Sequence, residues 1–198
     1  MNENIKNFYR ICVFGTEKNN EKAAANRAYR DMCRTIRFEK GVSQKLKNDC
    51  RTRVVKLIET EIKRCNSIDT VEKYDEFHDS LCSRIIDCYD NQTIAEITYG
   101  QAQKWVNMTM KYLCVLYEGQ CDWLNKIYSF LHIPIDSIIL DKAKKEFPNE
   151  FPVNNIPWSQ LYREEYITIQ NKLRAVIKDV TLMDWEFKAW NIPKKMSN

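Results

Sequence analysis

The chain has 198 residues, of which 44% are hydrophobic and 29% are charged, and its formal net charge is +4. This length supports one domain with a substantial core, and the low count of four glycines and five prolines argues against extended disorder. No apolar run is long enough to span a membrane and no signal peptide opens the chain, so we expect a cytoplasmic protein without a membrane partner, whose modest basic charge permits nucleic-acid binding without requiring it.

The first half of the chain predicts helices separated by short polar turns. Residues 8–14 are compatible with a strand or with the start of a helix, and residues 21–38 predict a helix because they contain no glycine or proline. Ser43 is a candidate N-cap for a helix that runs to about residue 65, and another helix is predicted over residues 71–89.

One face of the helix predicted to follow Ser43 is basic. The residues that share this face are Lys45, Arg53, Lys56 and Lys63. Asp49 and Glu59 lie on the same face and dilute its charge. The face is therefore either an ordinary solvated surface or a patch that contacts phosphates.

The middle of the chain predicts two helices joined by a tight turn at Gly100. Thr93 begins a short apolar segment and has Glu96 three residues later, which is the capping-box spacing. A longer helical pattern runs over residues 102–117. Because glycine adopts positive φ angles without a steric cost, Gly100 is suited to the turn between the two helices.

The rest of the chain predicts three further helices and a loop. The helices are expected over residues 123–131, from about Ile135 onward, and from Trp158 or Ser159 to about residue 180. Three prolines within residues 147–157 predict the loop.

These elements predict an all-α fold of about eight helices in one compact domain. The sequence does not decide whether this domain has two lobes. The expected site lies within residues 93–140, and residues 191–198 are expected to form a loose tail. The eight cysteines contain no C-x-x-C pair, and no zinc or nucleotide-binding motif is present, so we expect no metal and no cofactor.

A resemblance to a known family involves two short segments. The first reads Gly100-Gln-Ala-Gln-Lys104 and is followed by Asn107, and the second reads Pro134-Ile-Asp136-Ser-Ile138. Over residues 95–140 the chain resembles the helix-hairpin-helix DNA glycosylases, whose hairpin carries a lysine and whose later segment carries a catalytic aspartate. Thr98-Tyr99 stands where that family usually has Leu-Pro, and alanine replaces the second hairpin glycine.

The resemblance implies catalytic roles for Lys104 and Asp136. The carboxylate would stabilise positive charge at the sugar C1′, and a neutral lysine amine could attack C1′ and form a Schiff base. Each residue also has an ordinary explanation, because a carboxylate in a first helical turn is a favourable cap and most lysines are surface residues.

The resemblance also implies residues that bind DNA. Gly100 and Gln101 would hold a DNA phosphate at the hairpin, supported by the basic face described above. The candidates to line a pocket for a flipped base are Tyr99, Gln103, Trp105, Asn107, His132 and Trp158. Core packing of the aromatic residues and local hydrogen bonding of the polar ones are the alternatives.

The sequence thus predicts a DNA glycosylase, with AP-lyase activity if Lys104 is the nucleophile. Its substrate would be a modified or damaged base, phage defence is one setting for such an enzyme, and we expect a monomer with DNA as its partner. The alternative is a non-enzymatic helical protein-interaction or DNA-binding accessory protein of a bacterial defence or prophage system.

Overall fold

The computed structural model describes residues 2–90, 93–151 and 157–191, and within these ranges the fold is all-α, as expected from the sequence. Its α-helices are α1 (Glu3–Phe14), α2 (Asn20–Met32), α3 (Gln44–Glu61), α4 (Val71–Asp90), α5 (Tyr99–Tyr117), α6 (Asp122–Ile127), α7 (Ser137–Glu146), α8 (Arg163–Val176) and α9 (Leu182–Trp190). Short 3-10 segments lie at Cys33–Thr35, Ile62–Ser67, Tyr128–Phe130 and Trp158–Gln160. None of the described helices is long and apolar enough to cross a membrane.

Helix α5 is the centre of the fold, because every residue from Tyr99 to Met110 is buried. It packs against α2, α4, α8 and the 3-10 segment Trp158–Gln160. The face of α2 that contacts the core contains four fully buried alanines, and these small side chains allow the α2 and α5 backbones to approach closely. The core residues around α5 form one contiguous cluster.

The ends of several helices follow the capping residues in the sequence. The Ser43 hydroxyl accepts a hydrogen bond from the Leu46 backbone N–H at 3.2 Å, which confirms the expected start of α3. At the start of α5, Thr98 and Gln101 form a reciprocal capping box. Residues 8–14, for which the sequence was compatible with a strand or a helix, belong to helix α1.

The helix expected to precede Gly100 is absent, so the predicted helix-hairpin-helix was wrong. Thr93 has a φ of 50° and caps no helix, and the residues between it and α5 are not helical. Instead, the Ile94 carbonyl accepts a hydrogen bond from the Glu39 N–H at 2.9 Å, and Ala95 forms an isolated bridge with Phe38. Pairing with this distant segment satisfies the backbone while the apolar side chains remain buried.

The start of one helix in the last third also differs from the prediction. Trp158–Gln160 is a separate 3-10 segment, and the helix expected to begin there begins at Arg163. The stretch after Thr181 forms helix α9, because the Thr181 hydroxyl accepts a hydrogen bond from the Asp184 N–H at 3.1 Å. The loose tail was predicted for residues 191–198, of which 192–198 lie outside the described residues.

Candidate functional site

Lys104 and Asp136 are in direct contact. Lys104 Nζ lies 2.9 Å from Asp136 Oδ2, and the two side chains are only 10% and 5% exposed. Asp136 is also the N-cap of α7, where its Oδ1 accepts a hydrogen bond from the Ile139 N–H at 3.1 Å. The helix expected from Ile135 therefore begins at Ser137, and Asp136 has the capping role that was the alternative to catalysis.

Lys104 makes two contacts through its side-chain amine. The Asp136 carboxylate pairs with the ammonium, and the Trp158 ring lies 4.5 Å from Nζ, in the geometry of a cation–π contact. An ammonium group has no lone pair with which to attack a sugar. In this arrangement Lys104 is therefore suited to a structural ion pair rather than to a Schiff base.

Gly100 is used for close packing and not for a turn. Its N–H donates a hydrogen bond to the Leu161 carbonyl at 3.0 Å, and a Cβ at this position would lie 2.0 Å from the Trp158 carbonyl oxygen. The Gln101 side chain is committed to the capping box with Thr98. In the structure described here, the Gly100 N–H is therefore not free for a DNA phosphate, which corrects the expected phosphate contact.

The basic residues expected to contact DNA remain at the surface. All four are exposed, on α3 and on the 3-10 segment that follows it: Lys45, Arg53, Lys56 and Lys63. Lys56 Nζ pairs with Glu59 Oε2 at 3.0 Å, so part of this charge is neutralised locally. The surface is compatible with weak phosphate contacts and equally with a solvated helix face.

A buried polar cluster lies on another side of α5, and we call it the histidine network: Asp75, His78, Asn107, His132 and Tyr166. His132 Nδ1 lies 2.7 Å from the Tyr166 hydroxyl, and its Nε2 lies 2.7 Å from Asp75 Oδ1. Asn107 joins the other end, with Oδ1 2.9 Å from His78 Nε2 and Nδ2 2.8 Å from the Tyr166 hydroxyl. Both histidines of the chain thus meet in one cluster.

The partners define the direction of each hydrogen bond in the network. The Asp75 carboxylate can only accept, so His132 donates from Nε2 and accepts at Nδ1 from the Tyr166 hydroxyl. At the other end, His78 donates from Nε2 to the carbonyl oxygen of Asn107. An imidazole that accepts at Nδ1 carries only one ring proton, so His132 is neutral in this arrangement.

Burial and neighbouring charges fix these protonation states. Burial lowers the pKa of His132, and it lowers the pKa of His78 well below its usual value. Burial alone would raise the pKa of Asp75, but hydrogen bonds from His132 and Arg174 outweigh it and the pKa falls well below normal. Because His132 is neutral, the Arg174 guanidinium, with two hydrogen bonds of 2.7 and 2.8 Å, is the charge that keeps Asp75 ionised.

A cavity of about 150 Å³ lies over this network, and we call it the histidine pocket. The buried side chains in its lining are His78, Tyr99, His132 and Gln170, and Asp75 is partly buried. Asn107 and Gln103 lie behind its wall, where Asn107 Nδ2 donates to Gln103 Oε1 at 3.0 Å. Of the residues expected in a base pocket, Tyr99 and His132 therefore line this cavity, whereas Gln103 and Asn107 do not.

The two expected tryptophans lie elsewhere. Trp105 Nε1 donates to the Ala25 carbonyl at 2.9 Å, and its ring packs 4.9 Å from that of Tyr29, on the side of α2. Trp158 covers Lys104. The aromatic residue that the sequence did not single out is Tyr166, which contacts both histidines.

No protein-family model matches the chain, and no curated protein or solved structure matches it significantly. The proposals below therefore depend on the geometry of the site.

Proposed function

We propose that the chain binds a small polar ligand in the histidine pocket. One observation carries this proposal: five polar side chains line a single cavity, and four of them are buried while Asp75 is partly buried. They are Asp75, His78, Tyr99, His132 and Gln170. Burying polar groups is costly, and apolar residues of similar size are often at least as stable in a core. A ligand that uses these groups accounts for their presence.

The ionisation states favour recognition over proton transfer. A general acid or base works best when its pKa lies near the working pH. Here the pKa of Asp75 is far below that range, and the pKa values of His78 and His132 are lowered by burial. The network therefore presents a fixed carboxylate and fixed hydrogen-bond directions to the cavity.

Amide chemical shifts of isotope-labelled protein test this proposal. Small polar fragments of either charge are titrated, and we expect at least one to shift the amides around Tyr99 and Ile167. Ile167 lines the cavity, and Ile167→Trp should fill it and abolish these shifts. Shifts that persist in Ile167→Trp, or that never arise in the wild type, would count against the pocket as a ligand site.

A DNA glycosylase is the second candidate, and the contact between Lys104 and Asp136 favours it. In this candidate Asp136 stabilises the charge that develops on C1′. A water molecule adds to C1′ and loses a proton, and the base departs with the electrons of the glycosidic bond and gains a proton. Because the Lys104 amine is engaged by Asp136, release by water is favoured over a Schiff base. Both side chains are buried, so the DNA sugar could reach them only after movement of the chain around Trp158.

Base release from oligonucleotides with modified bases tests the second candidate. Asp136→Asn keeps a capping oxygen and should abolish release, whereas Asp141→Asn, at an exposed position on the same helix, should not. Borohydride should trap no covalent adduct with the wild type. Equal release by wild type and Asp136→Asn would remove the support for this candidate.

The alternative of a protein-interaction module has support from α1. This helix exposes a stripe of apolar side chains: Ile5, Phe8, Tyr9 and Val13. A second copy of the chain would bury this stripe, while the expected monomer leaves it in water. Sedimentation equilibrium of wild type and Phe8→Asp separates these cases, because only association through α1 would be lost in the variant.

A further inference from the structure

The charge of the protein is distributed unevenly along the chain. Residues 27–53 contain nine lysines and arginines and three acidic residues, which gives this segment a net charge of +6. The rest of the chain contains 22 basic and 24 acidic residues and has a net charge of −2. The positive charge of the protein is therefore concentrated in 27 of its 198 residues.

The fold brings the two halves of this segment together. The segment covers the second half of α2, the connection to α3 and the first half of α3, and α2 packs against α3. Arg51 Cζ in α3 lies 4.9 Å from the centre of the Tyr29 ring in α2, and Lys47 Nζ lies 4.4 Å from the centre of the Phe38 ring in the connection. These contacts place the end of α2, the connection and the start of α3 at one end of the fold.

Six basic side chains lie at this end, and we call them the basic surface: Arg30, Arg34, Arg37, Lys40, Lys45 and Lys47. The first five are exposed, and Lys47 is half-buried. Among the residues that the structure describes, no carboxylate lies within 4.0 Å of the charged nitrogens of these six. By contrast, Arg27 in the same segment is paired with Asp31, and Lys56 further along α3 is paired with Glu59.

Acidic side chains border the basic surface without neutralising it. Glu39 and Asp49 are exposed within the segment, and Glu96 lies opposite Arg37 across an isolated antiparallel bridge. Burial and the nearby Glu96 raise the pKa of Asp90 at the end of α4, so acidic residues bound the surface on that side. The six basic residues exceed the three acidic residues nearest to them in the chain and across the bridge, and this excess attracts polyanions.

The composition of the basic surface favours the backbone of a nucleic acid over a lipid or a protein. Three of its six residues are arginines, whose planar guanidinium can bind a phosphate through two hydrogen bonds. Of the large apolar side chains that are exposed in the described structure, none lies within residues 27–53. Membrane-surface helices insert apolar side chains, and protein interfaces depend on aromatic and apolar anchors. Binding to a phosphate backbone depends on neither.

We propose that the basic surface binds the phosphate backbone of a nucleic acid without reading its bases. This surface differs from the phosphate contacts expected from the sequence, because it includes neither Gly100 nor Lys56 and Lys63. The proposal is independent of the histidine pocket, and it does not depend on base release at Lys104 and Asp136.

A fluorescein-labelled DNA duplex without modified bases tests the proposal, with fluorescence anisotropy measured over a series of salt concentrations. We expect the logarithm of the association constant to fall linearly with the logarithm of the salt concentration, by about 0.9 for each phosphate contacted. The double variant Arg34→Glu with Lys40→Glu should bind at least about tenfold more weakly and lower the steepness of this slope by about two units.

The double variant Lys63→Glu with Lys126→Glu is the matched control, because it changes the net charge by the same amount at exposed positions. Lys63 follows the C-terminal end of α3, and Lys126 belongs to α6, which packs against the same 3-10 segment. The 18 residues of α3 separate this end from the basic surface by about 27 Å. We expect the affinity of the control to change less than about threefold.

An RNA duplex of the same sequence and vesicles that contain phosphatidylserine complete the experiment. Binding of either duplex that is weakened only in the Arg34 and Lys40 variant supports the proposal, and the tighter of the two duplexes identifies the nucleic acid. Equal losses in the two double variants would show a general effect of net charge and overturn it. Vesicles that bind more tightly than both duplexes, or duplexes that do not bind the wild type, would also overturn it. Circular dichroism and thermal unfolding verify that both variants are folded.

Discussion

The Tyr166 hydroxyl and His132 Nδ1, which belong to residues 34 positions apart in the chain, lie 2.7 Å from each other. Tyr166→Phe removes the donor and leaves the histidine nitrogen buried and unpaired. We expect the free energy of unfolding to fall by about 1–3 kcal/mol, measured by urea denaturation. Tyr162→Phe is the matched control, because Tyr162 is 74% exposed and its change should be within about 0.5 kcal/mol. Equal effects of the two substitutions would contradict the role of the network in stability.

Protonation of the two histidines should destabilise the fold below neutral pH. Both pKa values are lowered in the folded chain, so the unfolded chain binds protons first as the pH falls through the ordinary histidine value of about 6.5. The free energy of unfolding should fall between pH 7 and 5.5, by up to about 1.4 kcal/mol per pH unit for each histidine. Since the chain has only two histidines, His132→Gln should give a shallower slope. A stability that is constant across this range in the wild type would show that the imidazoles are not buried in the neutral form.

The ion pair between Lys104 and Asp136 should matter more for stability than an exposed pair. Lys104→Met leaves the Asp136 carboxylate buried without its partner, and we expect a loss of about 3–5 kcal/mol. Adding Asp136→Asn should restore part of this loss, because it removes the unpaired charge and keeps a capping oxygen. Lys73→Met provides the comparison in the exposed pair with Asp69 and should cost less than about 1 kcal/mol. Denaturant unfolding of the four proteins gives these values, and a double variant no more stable than Lys104→Met would contradict the assignment.

A methyl group at Gly100 should be poorly tolerated. Its Cβ would lie 2.0 Å from the Trp158 carbonyl oxygen, a backbone atom that cannot move alone. We expect Gly100→Ala to reduce the free energy of unfolding by at least about 3 kcal/mol. At Gly119, φ is 77° and an added Cβ would have no non-adjacent atom of the described residues within 4 Å, so alanine should cost only about 1–2 kcal/mol. Thermal unfolding compares the two variants, and a Gly100→Ala protein as stable as Gly119→Ala would show that the close approach is not required.

The parts of the fold that depend on neighbouring residues could be predicted from the sequence. Ser43 caps α3 with a bond to a residue three positions away, and such spacings are visible in the chain. The segment before Gly100 could not be predicted, because its conformation depends on pairing with Glu39, far away in the sequence. A short apolar segment is compatible with a helix and with an extended conformation until its pairing partner is known.

The candidate site shows the same dependence on distant contacts. Lys104 and Asp136 belong to the two segments that resemble the glycosylase motif, and in the structure their side chains are in contact. Asp75, which lines the histidine pocket, is paired with Arg174, which lies 99 positions away, and the two belong to no local pattern. The sequence therefore indicated His132 but gave no reason to join it to these residues.

The complete burial of α5 from Tyr99 to Met110 has a consequence for how the protein opens. A helix with a solvated face can separate from its neighbours one at a time. In α5, by contrast, the buried side chains of Gln103, Lys104 and Asn107 bond to residues in other parts of the chain. Its backbone amides should exchange with deuterium only when the surrounding helices separate together. We expect the slowest-exchanging amides to cluster on α5 and to report the free energy of global unfolding, while those of the exposed helix α1 exchange much earlier.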